Sequence, residues 1–352
     1  MQVEGRRLKE ESLSHVAENY FDEKVLDRNR TVLVTGGTGY LGKNLVQALL
    51  KRGFILNLLV RENSNLSGLE GCNFFLGDVN EPDSVRPAVE NCAFIFHLAA
   101  KVGNWSSNPA EFDRVNVQGY ENLLRLAAES GVKKVLHTSS FMIFGPSDGS
   151  VHTEESRCSL RPFGDYDRTM ILAENVTTAF REKGLAIISL FPGIVYGPGE
   201  KTDRNLASML AGAYSRGWMR GLLGEGRQKW NFVHMDDVIT GHLAAMRRGG
   251  AGRYVLGGEN ASVADFLSLA SGLLNRKTPS LKVPLKLAKA LTLSEELRAR
   301  WAHREPRMTR PLSEMLASHW ACSSDKAERE LGYRPRPLET GLRESVEWLR
   351  EQ

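Results

Sequence analysis

Three evenly spaced glycines carry the clearest chemistry in this sequence. Gly36, Gly39 and Gly42 lie in TVLVTGGTGYLGKNLVQALL, after an apolar run and before a segment with helical periodicity. Glycine permits a tight turn and lets the backbone approach a ligand, and the N-terminus of the following helix offers N–H groups to an anion. The segment therefore predicts a site for the pyrophosphate of a dinucleotide, with a purely structural glycine-rich turn as the alternative.

The elements that must position this loop alternate between strands and helices. Short apolar runs occur at TVLVTG, FILNLLV, NFFLGD, AFIFHLAA, KVLHTSS, AIISLFPG and RYVLGG. Helix patterns lie between them, for example over residues 41–49 and 123–127, and these end near Gly53 and Gly131. Near-continuous apolar strands that alternate with amphipathic helices predict an α/β domain with a doubly wound parallel sheet.

The chain divides into three predicted parts. Residues 1–30 form a polar extension with a helix pattern over Glu10–Asn19, and residues 31–196 form the dinucleotide-binding domain. Residues 197–352 form a smaller, mostly helical substrate lobe, which interleaves with the last strands of the sheet at about 230–258. Helix-like segments of this lobe are ASMLAGAYSRGWM and KVPLKLAKALTLSEELRARWAHREP.

Composition excludes several classes of function. The 352 residues are 41% hydrophobic, and 46 basic against 42 acidic side chains give a net charge of +4 without a long run of one sign. We therefore expect neither a nucleic-acid nor a membrane partner. The four cysteines lie far apart without metal-ligand spacing, so we expect reduced thiols and no metal. The chain shows no apolar leader and no span of roughly 18 apolar residues, which predicts a soluble cytoplasmic protein.

Several motifs together resemble the extended short-chain dehydrogenase/reductase superfamily, also called the NAD-dependent epimerase/dehydratase superfamily. The spacing GxxGxxG departs from the GxGxxG of ordinary dehydrogenases and is typical of this superfamily. The resemblance runs from Thr31 nearly to the end of the chain. It is also carried by LGDV, HLAA, RVNVQGYENLL, TSS, PGIVYGPG, FVHMDDV and LGYRPRPLETGLRESVEWL. The nearest groups are dihydroflavonol reductases, 3β-hydroxysteroid dehydrogenases and farnesol dehydrogenases.

The resemblance implies a Rossmann fold that binds NAD(P). The cofactor contacts implied in this sequence are Gly36, Thr38, Gly39, Tyr40, Leu41, Gly42, Arg61, Asp78, Val79, Leu98, Ala99, Ala100, Tyr166, Pro192, Gly193 and Val195. Arg61 follows FILNLLV, where an arginine accommodates a ribose 2′-phosphate, and this predicts NADP ahead of NAD. Glu62 would bond the ribose 2′-OH instead if the strand ran one residue longer, and the arginine would then only cover the adenine.

The resemblance also implies three catalytic roles. Tyr166 in GDYDRTMILAEN matches the tyrosine that exchanges a proton with the substrate oxygen, and Ser140 matches the serine that polarises this oxygen. Asn116 matches the asparagine that supports the proton relay. The alternative is that Ser140 is a strand-end hydroxyl and Tyr166 a core aromatic residue.

One position departs from the family pattern. A lysine is expected four residues after the tyrosine, where it holds the ribose and lowers the tyrosine pKa, but this chain has Met170. A free tyrosine has a pKa near ~10, so only on the order of one part in a thousand is ionised at neutral pH. Arg168 points roughly 200° around the helix from Tyr166 and cannot take the lysine's place. Three interpretations stay open: an inactivating substitution, a natural paralogue that binds cofactor without turnover, and an enzyme with a cation from elsewhere.

The substrate class is suggested by the lack of an arginine that superfamily members with nucleotide-sugar substrates carry. Superfamily members that act on nucleotide sugars carry an arginine just before the strand FVHMDDV, whereas this chain has Trp230 and Asn231 there. The segment LFPGIVYGPG is closer to the groups that act on apolar alcohols or carbonyl compounds. Candidate substrate contacts are Lys101, Trp105, Met142 and Tyr196, with Val102, Met209, Trp218 and Arg161 as further lining residues. The alternative for the apolar members of this set is the core.

The leading hypothesis is an NAD(P)-dependent oxidoreductase that moves hydride between nicotinamide and a secondary alcohol or ketone of a lipophilic substrate. A non-catalytic dinucleotide-binding protein and a nucleotide-sugar epimerase or dehydratase are the alternatives. By analogy with relatives, we also expect a homodimer formed by the helices around Gly119 and Tyr166.

Overall fold

The computed structural model describes residues 31–103, 105–199, 221–302, 306 and 309–351. The predicted extension over residues 1–30, with its helix at Glu10–Asn19, lies outside these described residues. The predicted helix ASMLAGAYSRGWM, with Met209 and Trp218, lies outside them as well.

A seven-stranded parallel sheet forms the centre of the molecule. Its strands are β1 (Thr31–Thr35), β2 (Ile55–Val60), β3 (Asn73–Leu76), β4 (Phe94–His97), β5 (Lys134–Thr138), β6 (Ile187–Pro192) and β10 (Gly252–Leu256). They lie in the order β3-β2-β1-β4-β5-β6-β10, and all pairs are parallel. These strands are the seven apolar runs of the sequence, so the predicted fold class is confirmed.

Helices cover both faces of this sheet, because each strand sends apolar side chains to both sides. The helices described between Thr31 and Arg248 are α1 (Tyr40–Leu50), α2 (Pro82–Val89), α3 (Ala110–Asp113), α4 (Tyr120–Glu129), α5 (Asp165–Glu182) and α6 (Met235–Arg248). One core lies between the sheet and α1 and α6, and a second lies between the sheet and α2, α4 and α5. A π-helical turn, Arg114–Gly119, joins α3 to α4, and a 3-10 turn, Phe141–Phe144, follows β5.

Among the residues that the structure describes, the C-terminal part adds short strands and five helices. Strands β7 (Ile194–Tyr196), β9 (Lys229–His234) and β11 (Glu259–Ser262) form a small mixed sheet, and β8 (Gly221–Leu223) pairs with β12 (Leu281–Val283). The helices are α7 (Val263–Leu273), α8 (Leu285–Trp301), α9 (Arg310–Ala317), α10 (Asp325–Leu331) and α11 (Leu338–Arg350). A third apolar core joins this part to α5 and the 3-10 turn. The division at residue 196 stays a prediction, since β10 returns to the main sheet while β7 joins the small one.

The local patterns are reproduced in the structure with small differences. Helix α1 buries Leu45, Val46 and Leu49 but only half-buries Leu41. The predicted helix KVPLKLAKALTLSEELRARWAHREP begins with strand β12 and becomes α8 only from Leu285. All four cysteines are free thiols. Among the described residues, no helix has the length and apolar character needed to cross a membrane.

Candidate active site

The glycine loop lies where the order of the sheet reverses. Because β2 and β4 flank β1 on opposite sides, the strand order reverses at β1, which is where a ligand crevice is expected at the carboxyl edge of such a sheet. Gly36 ends β1 with φ +72°, and a Cβ added to it would lie 2.6 Å from the amide nitrogen of Ala99. A Cβ on Gly42 would overlap the carbonyl oxygen of Gly36. Both glycines are therefore required by the close approach of loop, helix and strand.

The N-terminus of α1 is built to receive an anion. Gly39 is its N-cap and supplies no side chain, so the first-turn N–H groups are not capped, and the first turn, Tyr40–Lys43, contains no carboxylate. Tyr40 donates a hydrogen bond to the carbonyl oxygen of Gly197 at 3.0 Å, and burial raises its pKa, so its hydroxyl stays protonated. Thr38 and Leu41 are half-buried beside it. These residues fit a dinucleotide pyrophosphate.

The adenine and ribose end of the crevice lies at β2 and β3. Strand β2 ends at Val60, so Arg61 is the residue at its tip, and its side chain is exposed. The backbone N–H of Arg61 donates to Ser64 Oγ at 3.0 Å. Asp78 follows β3, and its Oδ1 accepts hydrogen bonds from Asn80 at 2.8 and 2.6 Å. A basic side chain at the strand tip and an oriented carboxylate thus flank the predicted adenosine site.

The wall of the crevice after β4 is apolar and uncharged. His97 is 2% exposed, its Nδ1 is 2.7 Å from Thr35 Oγ1, and its ring stacks on Tyr120. Burial lowers the pKa of His97 to about 3, so this ring is neutral at physiological pH. Leu98, Ala99 and Ala100 follow, all partly buried. His97 therefore holds the HLAA segment in place.

Ser140 and Tyr166 lie on two elements that pack together. Ser140 caps the 3-10 turn, and its Oγ accepts a hydrogen bond from the N–H of Met142 at 3.2 Å. Tyr166 lies in the first turn of α5 and is partly buried, and this helix packs against the 3-10 turn. Tyr166, Met142 and Met170 share the third apolar core. The structure thus brings the predicted catalytic hydroxyl groups to neighbouring elements.

Asn116 is fixed by three hydrogen bonds. Its Oδ1 accepts from the backbone N–H of Lys101 at 2.7 Å, and its Nδ2 donates to the Lys101 carbonyl oxygen and to Thr169 Oγ1, both at 3.0 Å. Thr169 in turn donates to the backbone oxygens of Asp165 and Tyr166. Asn116 therefore links the loop after β4 to the helical turn that carries Tyr166. Thr169 was not predicted as a site residue. In the sequence it is a threonine three residues after Tyr166, and its burial is seen only in the structure.

Met170 belongs to the apolar interior. It is 2% exposed and lies in the third core with Phe141 and Phe191. Arg168 binds Asp113 with two hydrogen bonds of 2.8 and 2.6 Å, as expected for a side chain that cannot replace the missing lysine. Lys101 Nζ binds Glu111 at 2.6 Å. Arg168 and Lys101 are thus each paired with a carboxylate.

The predicted substrate contacts divide into two groups. Trp105 and Val102 are each 38% exposed and Met142 is half-buried, so they are available to a ligand, as is the exposed Arg161. Tyr196 is 1% exposed and donates a hydrogen bond to the Leu338 carbonyl oxygen at 3.4 Å. Tyr196 therefore packs in the third apolar core.

Pro192 is the last residue of β6, Gly193 follows it, and Val195 lies in β7. Pro192 and Gly193 are buried and Val195 is half-buried. A side chain on Gly193 would overlap Asn231. Asn231 itself is 0% exposed, and its Nδ2 donates to carbonyl oxygens of Gly258 and Cys322 at 3.1 and 3.2 Å. Asn231, one of the two residues in the region where the resemblance leads us to expect an arginine, is therefore held by the surrounding backbone.

The last two family motifs bind each other. Asp237 of FVHMDDV accepts hydrogen bonds from the backbone N–H and the Nε of Arg336 in LGYRPRP, at 2.9 and 3.0 Å. Asp237 is 5% exposed. The buried Asp237 and the partly buried Arg336 therefore join the first turn of α6 to the segment that precedes α11.

A parallel doubly wound sheet with a glycine loop at its switch point and a serine–tyrosine pair nearby defines a Rossmann-type protein of the short-chain dehydrogenase/reductase class. The profile of the NAD dependent epimerase/dehydratase family matches residues 32–257. The chain belongs to this family, whose cofactor is a nicotinamide dinucleotide.

Comparison with known proteins extends this result to the whole chain. Sterol demethylase protein B of Methylococcus capsulatus is 31% identical, over 92% of this chain and 99% of that protein. Sterol-4-alpha-carboxylate 3-dehydrogenase, decarboxylating, of Mus musculus is 27% identical, over 88% of each chain. The protein in the crystal structure of gox2253 is 33% identical in sequence to this chain. The match covers 92% of this chain and 98% of that chain, and the two structures align with a TM-score of 0.77.

Proposed function

We propose that this protein is an NAD(P)-dependent oxidoreductase acting on a secondary alcohol or ketone of a lipophilic substrate. The observation that carries the proposal is the glycine loop at the switch point of the sheet together with Ser140 and Tyr166 on two elements that pack against each other. Hydrogen bonds through Thr169 join Asn116 to the turn that carries Tyr166. The nicotinamide, when bound, accepts or supplies the hydride.

Proton exchange, polarisation of the substrate oxygen and positioning are assigned to side chains of the protein. Tyr166 exchanges a proton with the substrate oxygen, taking it from an alcohol or giving it to a ketone. Ser140 Oγ already accepts the N–H of Met142, which leaves its own proton to be donated to the same oxygen. Asn116 and Thr169 hold the turn that carries Tyr166 and act as positioning residues.

The lipophilic substrate class rests on two observations. The sterol proteins among the relatives are named for apolar substrates. Trp230 and Asn231 are committed to the scaffold by hydrogen bonds to the backbone, so they cannot bind a sugar diphosphate as an arginine would. Met142, Trp105 and Val102 would contact the substrate, and Lys101 would lie beside its polar end.

The preferred cofactor is proposed to be NADP(H), because the side chain of Arg61 follows β2 directly and is exposed. Arg61→Ala is expected to weaken NADP⁺ binding by about tenfold while leaving NAD⁺ binding nearly unchanged. Arg86→Ala on the surface of α2 is the matched control. Isothermal titration with both dinucleotides measures this preference, and equal weakening for the two would remove Arg61 from the 2′-phosphate site.

Burial of Met170 among apolar side chains favours a second candidate, a protein that binds dinucleotide without turnover. The two functions are separated by incubating the protein with NADPH or NADH and a panel of sterol ketones, other apolar ketones and UDP-sugars. If NADPH or NADH is oxidised in the presence of apolar ketones, and this oxidation is lost in Tyr166→Phe, the result supports the reductase. Dinucleotide binding without oxidation of any substrate supports the binding protein, and conversion of UDP-sugars supports an epimerase or dehydratase. A cytoplasmic location and a homodimer stay predictions.

A further inference from the structure

One buried ring contacts the neighbours of both proposed catalytic residues. Trp320 is 1% exposed and lies in the third apolar core. Its ring meets that of Phe141 at 5.7 Å between centroids with the planes at 89°, and that of Phe163 at 5.8 Å with the planes at 64°. Phe141 directly follows Ser140, and Phe163 lies three residues before Tyr166. Trp320 therefore joins the two elements that carry the serine and the tyrosine.

The indole of Trp320 is itself held by the C-terminal part of the chain. Its Nε1 donates a hydrogen bond to the carbonyl oxygen of Met315 in α9 at 2.8 Å. The backbone N–H of Trp320 donates to the Lys229 carbonyl oxygen at 2.7 Å, and its carbonyl oxygen accepts from the N–H of Asn231 at 3.1 Å, both in β9. Main chain and side chain are thus both fixed, so the ring offers a fixed surface to the two phenylalanines.

On the tyrosine side, Phe163 is tied to the first turn of α5 by Asp167. The Oδ2 atom of this carboxylate accepts the backbone N–H of Phe163 at 2.6 Å, and the Oδ1 atom accepts that of Gly164 at 2.8 Å. Pro311, the second residue of α9, packs at the same place, since a Cβ added to Gly164 would lie 3.3 Å from its Cβ. A movement of Phe163 would therefore be passed to the turn that begins α5 and carries Tyr166.

On the serine side, Phe141 begins the 3-10 turn that Ser140 caps. Ser140 Oγ accepts the N–H of Met142 at 3.2 Å, so the hydroxyl group is oriented by this turn. The contact of Phe141 with Trp320 is edge to face, and aromatic pairs in this geometry are directional, so they set orientation as well as distance. The position of the turn, and with it the direction of the Ser140 hydroxyl, thus depends on the indole.

We propose that Trp320 is a positioning residue, which sets the spacing of Ser140 and Tyr166 through Phe141 and Phe163. Its consequence for catalysis rests on the oxidoreductase function proposed above, because both hydroxyl groups must meet one substrate oxygen. In such an arrangement a displacement of about 1 Å is enough to lower the rate about 100-fold. The C-terminal part of the chain thus aligns the catalytic pair, although it supplies neither hydroxyl group.

Nuclear magnetic resonance of the full chain labelled with ¹³Cζ-tyrosine tests the positioning without turnover. Tyr166→Phe assigns the Tyr166 signal among the eight tyrosines. Trp320→Leu is expected to shift this signal, and Trp320→Phe, which keeps an aromatic ring, should return it most of the way. Trp230→Leu is the matched control, since Trp230 is a second buried tryptophan of the same core, donates to the Ser318 carbonyl oxygen at 3.0 Å and packs on Phe232. It should leave the Tyr166 signal in place while lowering stability in urea, as Trp320→Leu also does.

Steady-state kinetics test the consequence for the reaction. With NADPH and an apolar ketone that the wild type reduces, Trp320→Leu should lower kcat at least about tenfold and change KM and the Kd for NADPH less than about threefold. Trp230→Leu should keep the wild-type kcat. An unmoved Tyr166 signal in Trp320→Leu, or an equal loss of kcat in the two leucine variants, would overturn the proposal. If the Tyr166 signal moves as expected but no protein reduces any ketone, the oxidoreductase function fails and the positioning role stands.

Discussion

At the scale of single residues, the proposed oxidoreductase function depends most on Met170. Its side chain fills part of an apolar core, so a lysine at this position would bury an ammonium group unless the bound cofactor's ribose hydroxyls pair with it. With a lysine at position 170, the stability of the protein would therefore depend on whether the dinucleotide is bound.

The first prediction follows from this burial. Met170→Lys is expected to destabilise the cofactor-free protein by about 1–3 kcal/mol, and saturating NADP⁺ should return most of this loss. Met170→Leu keeps the apolar packing and should cost less than about 1.5 kcal/mol with or without cofactor. Denaturant unfolding of the three proteins measures the difference. A loss in Met170→Lys that NADP⁺ leaves unchanged would show that position 170 does not face the cofactor.

The site residues were predictable to different degrees. Ser140, Tyr166 and Asn116 were predicted because each lies in a motif that resembles the family, and their catalytic roles stay predictions. The contacts of Asn116 with Lys101 and Thr169 were not, since they join residues that are distant in sequence and depend on tertiary packing. Tyr196 was predicted at the crevice from PGIVYGPG, but β7 joins the small sheet and carries this ring into the core.

At the scale of elements, the glycine loop and the N-terminus of α1 form one unit. The turn after β1 touches the loop after β4, and α1 packs on the same turn through Gly42. A side chain at Gly42 would push the helix N-terminus away from the anion that it should bind.

The second prediction tests this unit. Gly42→Ala is expected to weaken NADP⁺ binding by more than about tenfold, because its Cβ overlaps the Gly36 carbonyl oxygen. Gly272→Ala in α7 is the matched control, since a Cβ there meets nothing within 4 Å. Calorimetric titration of both variants gives the comparison. Equal affinities in Gly42→Ala and the wild type would mean that the dinucleotide binds elsewhere.

The elements themselves were predictable where the local signal was strong. The seven strands of the main sheet are near-continuous apolar runs, since both of their faces are covered. The pairing of β8 with β12 was not predicted, since strands of three residues carry little pattern and their partners are set by tertiary contacts. The π-helical turn at Arg114–Gly119 was missed because its hydrogen-bond register leaves no mark in the apolar periodicity.

At the scale of the whole molecule, buried histidines link stability to pH. Burial lowers the pKa of His97 and His234 to about 3 and of His242 to about 4, and it holds the pKa of His137 well below its usual value of 6.5. The unfolded chain binds protons on these groups below about pH 6.5, whereas the folded protein does not. Their contribution to stability is complete above that pH and is lost as the pH falls toward 4.

The third prediction is therefore a loss of stability in mild acid. The free energy of unfolding should fall between pH 7 and pH 5, with each histidine contributing up to about 1.4 kcal/mol per pH unit. Raised pKa values of buried carboxyl groups oppose this trend nearer pH 4, at Glu154, Asp167 and Asp237. Urea unfolding at several pH values measures the slope of the free energy of unfolding against pH. His242→Asn should reduce this slope by the contribution of one titrating group. A flat profile down to pH 5 would contradict the burial of these rings in neutral form.

The most direct test of the central claim compares turnover by the wild type, Met170→Lys and Met170→Leu with NADPH and apolar ketones. We expect weak turnover by the wild type and by Met170→Leu, and a gain of at least about tenfold in kcat for Met170→Lys, because the lysine supplies the charge that favours proton exchange at Tyr166. If Met170→Lys binds NADPH but oxidises it no faster than the wild type with every ketone, the assignment of this site as an oxidoreductase centre is contradicted.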